Sequence, residues 1–539
     1  MRLGRLRITN YSRLQDLEVE VREHLVVVGA NDVGKTSLLR LLNLSLGASL
    51  GQLYQALGRA DLRDETKSLV VELQLVDFVE VEERLFYREI DIDPVSRTKS
   101  LTVRVEVTAD AEDPEAVTIE RVLTGTADRR APTREQLAAF GWRYLPATRG
   151  TGAAQLDGPH SALRLLLGSI DLGAEKADLA SILIDFNAKL HASEKLGGLR
   201  DQIAGHLAKA MPKAIDGDDL SVRTAADPTA SVLDGVSMYF QRGDQHVPII
   251  EQSDGLRQLM AMTLFDLAEN NANIIAVDEP ELHLHPASQR TVADLFVQGA
   301  NQKVLCTHSP YILQLFEPAH VLAITPDGAA HQIGEGQLSS IEKLRAQWWS
   351  PRLLEALTAR YALLVEGVAD RIIVEAAAKV LEIGLNRIGA VVFELDGADK
   401  FRHVYKMLGK DGFGVTLLGL VDEAEAGIFT SAIGGKPNKL INSKIWVSKT
   451  DLEDEYCKAL TGPVAGRILI DAGVCRSSGL LQSCSVDKEE DLTAEAVAAF
   501  CRKNKVEAAV AVAAALTRAQ AERIISVNGM LVKVAELAS

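Results

Sequence analysis

The chain has 539 residues, of which 47% are hydrophobic and 24% are charged, and its formal net charge is −16. Such a length predicts about three or four domains, and such a composition excludes a largely disordered chain. The acidic balance argues against a protein that coats DNA through general basicity. It leaves room for an enzyme whose carboxylates hold metal ions.

The cysteine content and the lengths of the apolar runs indicate the cellular compartment of the protein. Five cysteines are scattered along the chain, and no two of them form a C-x-x-C pair. This usage indicates reduced thiols in a cytoplasmic protein and argues against a zinc site. Residues 1–7 lead directly into a predicted strand rather than a signal peptide, and no apolar run reaches the roughly 18 residues that span a bilayer. We therefore expect no membrane association.

The first motif is a phosphate-binding loop, because residues 29–36 read G-A-N-D-V-G-K-T. An apolar run predicted to be a buried strand precedes the loop, and a predicted helix follows it. Glycines let backbone N–H groups face a triphosphate at the helix N-terminus. Lys35 is expected to reach the β- and γ-phosphates, and Thr36 to hold Mg²⁺. The other expected nucleotide-binding residues of this loop are Asn31, Gly34 and Ser37.

The region after the P-loop mixes two kinds of pattern. Residues 1–45 are predicted to run strand, strand, P-loop, helix, and the alternating runs at 69–75 and 101–107 predict antiparallel strands. Apolar residues then recur at helical spacing from 160 to 212. This predicts a helical insertion over 160–235, which either supports dimerisation or is a plain packing layer.

An acidic pair and a histidine follow two later apolar runs. The run at 274–277 ends in Asp278, Glu279 and Pro280, and the run at 304–307 ends in His308. Asp278 is expected to hold Mg²⁺, and Glu279 to orient or deprotonate the attacking water. The two runs thus predict the second half of an ATP site.

The surroundings of the acidic pair indicate a class of ATPase. Ser253 precedes a helical pattern about twenty residues before the pair, which by itself indicates only a capped helix. ABC ATPases carry their signature helix at this place, and D-E-P-E-L-H-L-H-P at 278–286 resembles SMC-type and RecF-type ATPase heads. The resemblance implies that His308 senses the γ-phosphate. It also implies a homodimer in which Ser253 and Gly255 of one chain face the P-loop of the other. Sustained heptads are absent, which excludes a cohesin-like rod.

The last third of the chain carries acidic residues at the ends of two apolar runs. Glu366 follows the run at 361–365, and Asp370 comes four residues later, while Asp422 follows the run at 415–421. In a parallel sheet the carboxyl ends of neighbouring strands converge. Clustered carboxylates would hold Mg²⁺ or Mn²⁺, and two such ions suit phosphodiester hydrolysis. The alternative is that acidic residues end strands because strand ends are solvated.

This half resembles a Toprim domain, and the whole arrangement resembles the overcoming-lysogenization-defect (OLD) family of ATP-dependent nucleases. The resemblance implies that Glu366 and Asp370 form the first acidic motif and that Asp422 begins the second. The second motif usually reads D-x-D, but Ala424 stands at its last position here. Either Glu423 or Glu425 replaces the missing aspartate.

Two further metal-site and catalytic residues follow from the same resemblance. Residues 449–454 resemble a later acidic motif, from which Glu453 is the expected ligand, although an exposed helix start has the same composition. Residues 503–509 resemble a motif that supplies a catalytic lysine. We expect that lysine to be Lys505, with a surface lysine as the alternative. Residues 144–149 also resemble a segment of that family's ATPase, in which Arg149 either contacts phosphate or is structural.

The predicted fold class is α/β: an ABC-type P-loop ATPase head with a helical insertion, followed by a Rossmann-like Toprim domain. The expected domains are an N-terminal ATPase part (1–159), the insertion (160–235), a C-terminal ATPase part (236–350) and the Toprim domain (351–539). Two lysine-rich groups are candidate DNA contacts or plain solvated surface. Their members are Lys400, Arg402, Lys406 and Lys410, and Lys436, Lys439, Lys444 and Lys449.

The function predicted from these motifs is an ATP-regulated, divalent-metal-dependent DNA endonuclease that acts as a homodimer. Its cofactors would be ATP with Mg²⁺ in the head, and Mg²⁺ or Mn²⁺, as two ions, in the Toprim domain. One alternative is a non-nucleolytic ATP-binding switch that bridges DNA. A Toprim primase or topoisomerase is disfavoured by the lack of zinc-binding cysteines. The resemblance suggests phage defence or DNA repair, and nothing in the sequence identifies a partner protein such as a helicase.

Overall fold

The computed structural model describes most of the chain. It leaves undescribed residues 111–112, 114–115, 126–128, 148–162, 164–165, 168–169, 171, 208–219, 225, 227–231, 234–235, 243–244, 269–271, 347, 349, 435 and 539, and the side chains of 205–207, 242, 266–268 and 345. The chain divides into two units. The first comprises Met1–Pro146, Ala272–Glu281 and Ala293–Ser539, and the second comprises Ala147–Asn271 and Leu282–Val292.

An antiparallel sheet opens the first unit. Its order is β2-β1-β4-β6-β5, with β7 pairing β6. The strands are β1 (Arg2–Thr9), β2 (Leu17–Glu20), β4 (Leu69–Val76), β5 (Asp91–Ile92), β6 (Lys99–Ala109) and β7 (Val117–Leu123). Buried residues alternate with more exposed ones along β4, as expected for a sheet with one face against a core. The predicted antiparallel pairing is confirmed, since Leu69 of β4 pairs with Val107 of β6.

A second sheet carries the P-loop. It runs β14-β13-β3-β12-β11-β8, and only β14 is antiparallel to its neighbour. The strands are β3 (Leu25–Gly29), β8 (Trp142–Leu145), β11 (Ile274–Asp278), β12 (Gln302–Cys306), β13 (Val321–Ile324) and β14 (Ala330–Gln332). Every residue of β3, β11 and β12 is buried, which explains the apolar runs in β3 and β11, whereas β12 begins with the buried polar residues Gln302 and Lys303.

Helix α1 (Lys35–Leu46) links the two sheets, because it packs against β6 of one and β12 of the other. Its buried leucines join the apolar faces of both sheets in one core. The prediction of two strands before the P-loop was incomplete, since the four-residue β2 lies between β1 and β3. The remaining helices of this part are α2 (Leu50–Ala56), α3 (Glu80–Leu85), α4 (Arg134–Ala139), α9 (Pro310–Leu313), α10 (Ser340–Arg345) and α11 (Arg352–Thr358).

The C-terminal part of the first unit has its own parallel sheet, in the order β16-β15-β17-β18. The strands are β15 (Tyr361–Val365), β16 (Ala390–Glu394), β17 (Thr416–Asp422) and β18 (Ile445–Ser448). The helices around them are α12 (Val368–Val380), α13 (Phe401–Leu408), α14 (Ala426–Ile433), α15 (Pro437–Leu440), α16 (Leu452–Leu460), α17 (Gly462–Asp471), α18 (Ser477–Cys484), α19 (Ala494–Lys503), α20 (Lys505–Ala515), α21 (Arg518–Ala521) and α22 (Ile525–Ala538).

The second unit contains helices and one hairpin. Its elements are α5 (Glu175–Ala192), α6 (Glu194–Leu207), β9 (Tyr239–Arg242), β10 (Gln245–Pro248) and α7 (Asp254–Ala268), and α8 (Pro286–Gln298) begins in it. Helices α5 and α6 lie within the stretch predicted to be a helical insertion. No residue of α5 is buried, although the helix carries several large apolar side chains.

Two other observations bear on the sequence predictions. All five cysteines are free thiols, and the sulfurs of Cys457 and Cys501 lie 3.9 Å apart in the C-terminal core. Within the described residues, no helix combines the length and the apolarity needed to cross a bilayer.

Candidate functional site

The P-loop has the backbone shape that its glycines predict. It joins the end of β3 at Gly29 to the start of α1 at Lys35, and Gly34 lies in the left-handed region with φ 95°. A Cβ atom on Gly34 would meet the carbonyl oxygen of Arg13 at 2.5 Å. Only glycine fits there, so the loop can hold its N–H groups at the N-terminus of α1.

The P-loop lysine is buried at the mouth of this loop. The ammonium of Lys35 donates to the carbonyl oxygens of Gly29 at 3.0 Å and Ala30 at 2.6 Å. Burial lowers the pKa of Lys35, and the carboxylates of Asp278 and Glu279 oppose that shift. Those carboxylates are therefore close enough to Lys35 to stabilise its charge. The neighbouring residues Asn31 and Thr36 are exposed, and Ser37 is partly buried.

The acidic pair and the histidine lie on the same edge of the sheet as the P-loop. Strand β12 runs between β3 and β11, and Asp278 at the end of β11 pairs with Cys306 at the end of β12. Glu279 has φ 49°, and its N–H donates to the Cys306 carbonyl at 2.9 Å. Burial lowers the pKa of His308, the charge of Lys35 lowers it further, and Glu279 opposes both. The structure thus brings Lys35, Asp278, Glu279 and His308 together.

A third acidic residue, Glu281, joins this edge, and sequence reasoning assigned it no role. Its carboxylate accepts hydrogen bonds from the His308 N–H and, at 2.9 Å, from the Thr307 hydroxyl. Burial raises the pKa of Glu281, and these two hydrogen bonds oppose the shift. Its place in D-E-P-E was the only signal in the sequence, because both contacts join residues that are far apart in the chain.

The residues expected to form a signature motif lie in the second unit. Ser253 directly precedes α7, and its carbonyl accepts from the Arg257 N–H at 2.9 Å. A Cβ atom on Gly255 would meet the His283 carbonyl oxygen at 2.8 Å. Their expected role opposite the P-loop of another chain stays a prediction. Arg149, the candidate phosphate contact, lies outside the described residues.

Three carboxylates meet at the carboxyl edge of the C-terminal sheet. Glu366 follows β15, Asp422 ends the adjacent β17, and Glu425 begins the turn into α14. Each offers an oxygen, and these three oxygens lie within 4.8 Å of one another. Hard oxygen donors at this spacing are the ligands that Mg²⁺ and Mn²⁺ prefer.

Two more predicted residues, Asp370 and Glu453, belong to the same part of the sheet edge. The Asp370 carboxylate accepts from the Gly367 N–H at 2.9 Å, which ties the start of α12 to the end of β15. Glu453 is buried near the start of α16, and its carboxylate lies 3.6 Å from the ammonium of Lys505. The acidic run at 449–454 is therefore not an exposed helix start at Glu453.

Burial and the proximity of several carboxylates shift the pKa values of the groups in this cluster. Burial first, and then the neighbouring carboxylates, raise the pKa of Asp422 to about 8 and the pKa of Asp370 to about 6, and burial also raises the pKa of Glu366. The charges of Glu453 and the other three carboxylates hold the pKa of Lys505 above its ordinary value, although burial opposes this. One lysine does not balance so many acids, and a divalent ion would supply the missing charge.

Glu423 lies outside the triad. Its carboxylate accepts from the Thr450 N–H at 3.3 Å, and its own N–H donates to the Ser448 carbonyl at 3.1 Å. Both contacts direct the residue toward the end of β18 and away from Glu366. Of the two candidates for the missing aspartate, the structure places Glu425 in the cluster.

The lysines of the two lysine-rich groups differ in their ion pairs and in their positions on the sheet. Lys400 pairs with Asp396 at 2.6 Å, and Lys406 pairs with Glu342 at 2.9 Å. Lys449 directly follows β18 at the acidic edge of the sheet, whereas Lys444 precedes that strand at the opposite edge. Lys449 therefore lies at the edge that carries Asp422, and Lys444 does not.

Fold and site together define a P-loop ATPase head joined to a Toprim domain. A family model described as "AAA domain, putative AbiEii toxin, Type IV TA system" matches residues 25–314, which is more than half of the chain. A second, described as "Overcoming lysogenization defect protein-like, TOPRIM domain", matches residues 357–423. The chain belongs to this AAA family, and its Toprim domain matches the overcoming-lysogenization-defect (OLD)-like model.

Relatives and solved structures carry the same family names. An "OLD nuclease" from Thermus scotoductus is 23% identical over 411 residues, covering 69% of this chain and 72% of the relative. The C-terminal region of the Burkholderia pseudomallei OLD protein is 20% identical, covering 34% of this chain and 99% of that one, with a TM-score of 0.28. An SMC head bound to the C-terminal winged-helix domain of ScpA is 15% identical, covering 62% of this chain and 98% of that one, with a TM-score of 0.38.

Proposed function

We propose that this protein is an ATP-regulated, divalent-metal-dependent DNA endonuclease that acts as a homodimer. The observation that carries the proposal is the triad of Glu366, Asp422 and Glu425 at one sheet edge, with oxygens within 4.8 Å of one another. Family membership and the name of the Thermus scotoductus relative, a nuclease, support the same reading.

The acidic edge has the groups that phosphodiester hydrolysis needs. Glu366, Asp422 and Glu425 would hold one divalent ion, and we propose that Asp370 and Glu453 contribute to a second. Such ions supply activation of water and neutralisation of the leaving oxygen. Lys505 sits 3.6 Å from Glu453 with half of its side chain exposed, so its ammonium can meet a phosphate that approaches the edge. It would stabilise the negative charge that develops on that phosphate.

The head has the groups for ATP hydrolysis. Lys35 would bind the β- and γ-phosphates, Thr36 and Asp278 would hold the Mg²⁺ that accompanies ATP, and Glu279 would orient the attacking water. His308 would contact the γ-phosphate as a neutral ring, since its pKa is lowered. The remaining proposed nucleotide contacts are Asn31, Gly34 and Ser37 and, from a second chain, Ser253 and Gly255.

Helix α5 supports the homodimer. Ile182, Ile184 and Phe186 are 64%, 56% and 49% exposed on a helix that buries no residue within this chain. Exposed apolar side chains concentrated on one element are typical of an interaction surface. We propose that a second copy covers them and that the domain limits are 1–159, 160–235, 236–350 and 351–539. The five free thiols suit a reducing compartment such as the cytoplasm.

Cleavage of supercoiled plasmid tests the proposal. The wild type should nick the plasmid with Mg²⁺ or Mn²⁺ and lose that activity in EDTA. Glu366→Gln should lower the rate by about 100-fold or more, because it removes one oxygen ligand and one charge. Glu375→Gln is a matched control, since Glu375 is an exposed glutamate on α12.

A second variant, Lys35→Ala, distinguishes the activity of the ATP site from that of the metal site. Lys35→Ala should abolish ATP hydrolysis while nicking by the isolated metal site persists, with its response to ATP lost. A wild type that binds ATP but cuts no DNA with any divalent metal would overturn the nuclease. That result would favour the alternative, an ATP-binding switch that only bridges DNA.

A further inference from the structure

Glu281 connects two strand ends at the ATP site. It follows the turn after β11, while Thr307 and His308 follow β12, the strand between β11 and the P-loop strand. Its carboxylate accepts from the His308 N–H with one oxygen and from the Thr307 hydroxyl with the other. A single side chain thus fixes two consecutive residues of the turn that carries the histidine.

The same contact orders the rest of that turn. The Thr307 hydroxyl, which donates to Glu281, accepts from the Ser309 N–H at 2.9 Å. The Ser309 hydroxyl in turn accepts from the Ile312 N–H at 3.2 Å and caps α9. The path from β12 into α9 is therefore defined by a chain of hydrogen bonds that starts at the Glu281 carboxylate.

A carboxylate suits this place better than other acceptors. It has two oxygens, so it can accept from the His308 backbone and the Thr307 hydroxyl at once, while glutamine keeps only one acceptor oxygen. The site is also partly buried, and a backbone N–H left without a partner there is costly. Removing the carboxylate should therefore move the turn and, with it, the imidazole of His308.

We propose that Glu281 is a positioning residue for ATP hydrolysis, which sets the place of the His308 imidazole at the nucleotide site by fixing the turn of Thr307 and His308. This inference rests on the proposed ATPase function. It assigns no direct contact between Glu281 and the substrate, because both carboxylate oxygens are used within the chain.

Steady-state ATP hydrolysis and nucleotide binding test the proposal. Glu281→Ala should lower kcat about tenfold or more and change the Kd for a fluorescent ATP analogue less than about threefold, since the phosphate-binding loop is untouched. Glu281→Gln should recover part of kcat through the retained acceptor. Glu317→Ala is the control, because Glu317 lies near α9 and its side chain, 56% exposed, pairs with Lys343.

A readout that does not depend on activity completes the test. The NMR signals of the His308 ring can be assigned by their loss in His308→Gln. Their chemical shifts should change in Glu281→Ala and stay the same in Glu317→Ala. Unchanged His308 signals in Glu281→Ala would overturn the inference. So would equal losses of kcat, ATP affinity and melting temperature, which indicate a general structural role. A wild type without ATP turnover would instead contradict the proposed function.

Discussion

The turn in which Glu425 lies places its carboxylate beside Asp422 and Glu366. Its N–H donates to the Asp422 carbonyl at 3.1 Å, and its backbone is already helical at the start of α14. The turn brings the longer side chain back over the end of β17, where it meets Asp422 and Glu366. Glu423 points to the other side, toward Thr450. We therefore expect the longer side chain of Glu425, one residue further along the chain, to replace the aspartate that is missing at Ala424.

The first prediction separates these two glutamates. Glu425→Gln should weaken Mn²⁺ binding by about tenfold or more, because a neutral amide replaces a charged ligand. Glu423→Gln should change it by less than about threefold. Isothermal titration calorimetry of both variants measures the two affinities. Equal losses would show that Glu423 reaches the ion as well.

A second prediction concerns pH and the charge of Asp422. Its folded pKa of about 8 lies above the ordinary value of 3.8. Its contribution to stability is therefore complete below about pH 4 and is lost as the pH rises through 8. Without metal, the wild type should lose melting temperature relative to Asp422→Asn between pH 5.5 and about 8.5.

Melting curves of both proteins in EDTA measure that difference, and added Mg²⁺ should reduce it by neutralising the wild-type cluster. A difference between the two melting temperatures that stays constant with pH would contradict the raised pKa.

A third prediction concerns Gly34. In Gly34→Ala the added Cβ would meet the Arg13 carbonyl and the Leu14 side chain, each at 2.5 Å, with φ in the left-handed region. We expect a loss of about 1–3 kcal/mol in the free energy of unfolding, together with loss of ATP binding. Gly51→Ala is the control, because nothing lies within 4 Å of its added Cβ. It should be neutral or stabilising in the same urea titration, since Gly51 lies within α2.

At the scale of elements, the N-terminus of α16 organises the acidic edge. Asp451 caps the helix by accepting from the Asp454 N–H at 2.8 Å, and it also pairs with Arg502 at the end of α19. The Leu452 N–H donates to the Asp422 carboxylate at 3.2 Å. One helix start therefore holds a ligand of the neighbouring strand and carries Glu453 as well.

The fourth prediction is that Asp451→Ala loses about 1 kcal/mol of stability through the cap and weakens Mn²⁺ binding through Asp422 and Glu453. Thr133→Ala provides the matched control, since Thr133 caps α4 in the head by accepting from the Gln136 N–H. It should show a similar loss of stability with unchanged Mn²⁺ affinity. A wild-type affinity in Asp451→Ala would show that the cap does not position the acids.

Local patterns predicted the elements and the acids that end strands. The P-loop, β11 with Asp278, β15 with Glu366 and β17 with Asp422 were readable because a buried parallel strand is a short apolar run and its chemistry follows at once. The roles of Glu281 and Asp451 were not readable. Each depends on partners from another element, Thr307 and Arg502 respectively, and no local periodicity records such a contact.

The short strand β2 was missed for a different reason. It has four residues with two of them buried, and its signal is too weak to separate it from a loop. The choice between Glu423 and Glu425 also needed coordinates, because it depends on which way one turn folds.

At the scale of the whole molecule, Trp348 lies between the head and the Toprim domain. The indole N–H of Trp348 donates to the Phe316 carbonyl at 3.0 Å, just after α9, and its ring stacks on Phe413 at 6.3 Å. Phe413 leads into β17, the strand that ends in Asp422. The Lys406–Glu342 ion pair lies in the same junction. Trp348 therefore contacts both the segment that follows α9 and the segment that leads into β17.

The fifth prediction is that Trp348→Leu weakens the effect of ATP on DNA cleavage while each activity alone remains. The indole hydrogen bond and the ring stack are lost, and neither active site is touched. The ratio of nicking rates with and without ATP measures this coupling. Ile341→Ala is the control, because Ile341 is 65% exposed on α10. An unchanged ratio in Trp348→Leu would show that Trp348 does not couple the ATP site to DNA cleavage.

The reactive groups lie at the last residue of each strand or just beyond it, and this has an evolutionary consequence. Every residue of β3, β11 and β15 is buried, and apart from Gly29, Asp278 and Tyr361 their side chains are aliphatic. Exchanges among valine, isoleucine and leucine there cost little when volume is kept. Such strands can diverge without displacing a single carboxylate. We therefore expect substitutions within the strands to change the sites less than substitutions in the short turns that follow them.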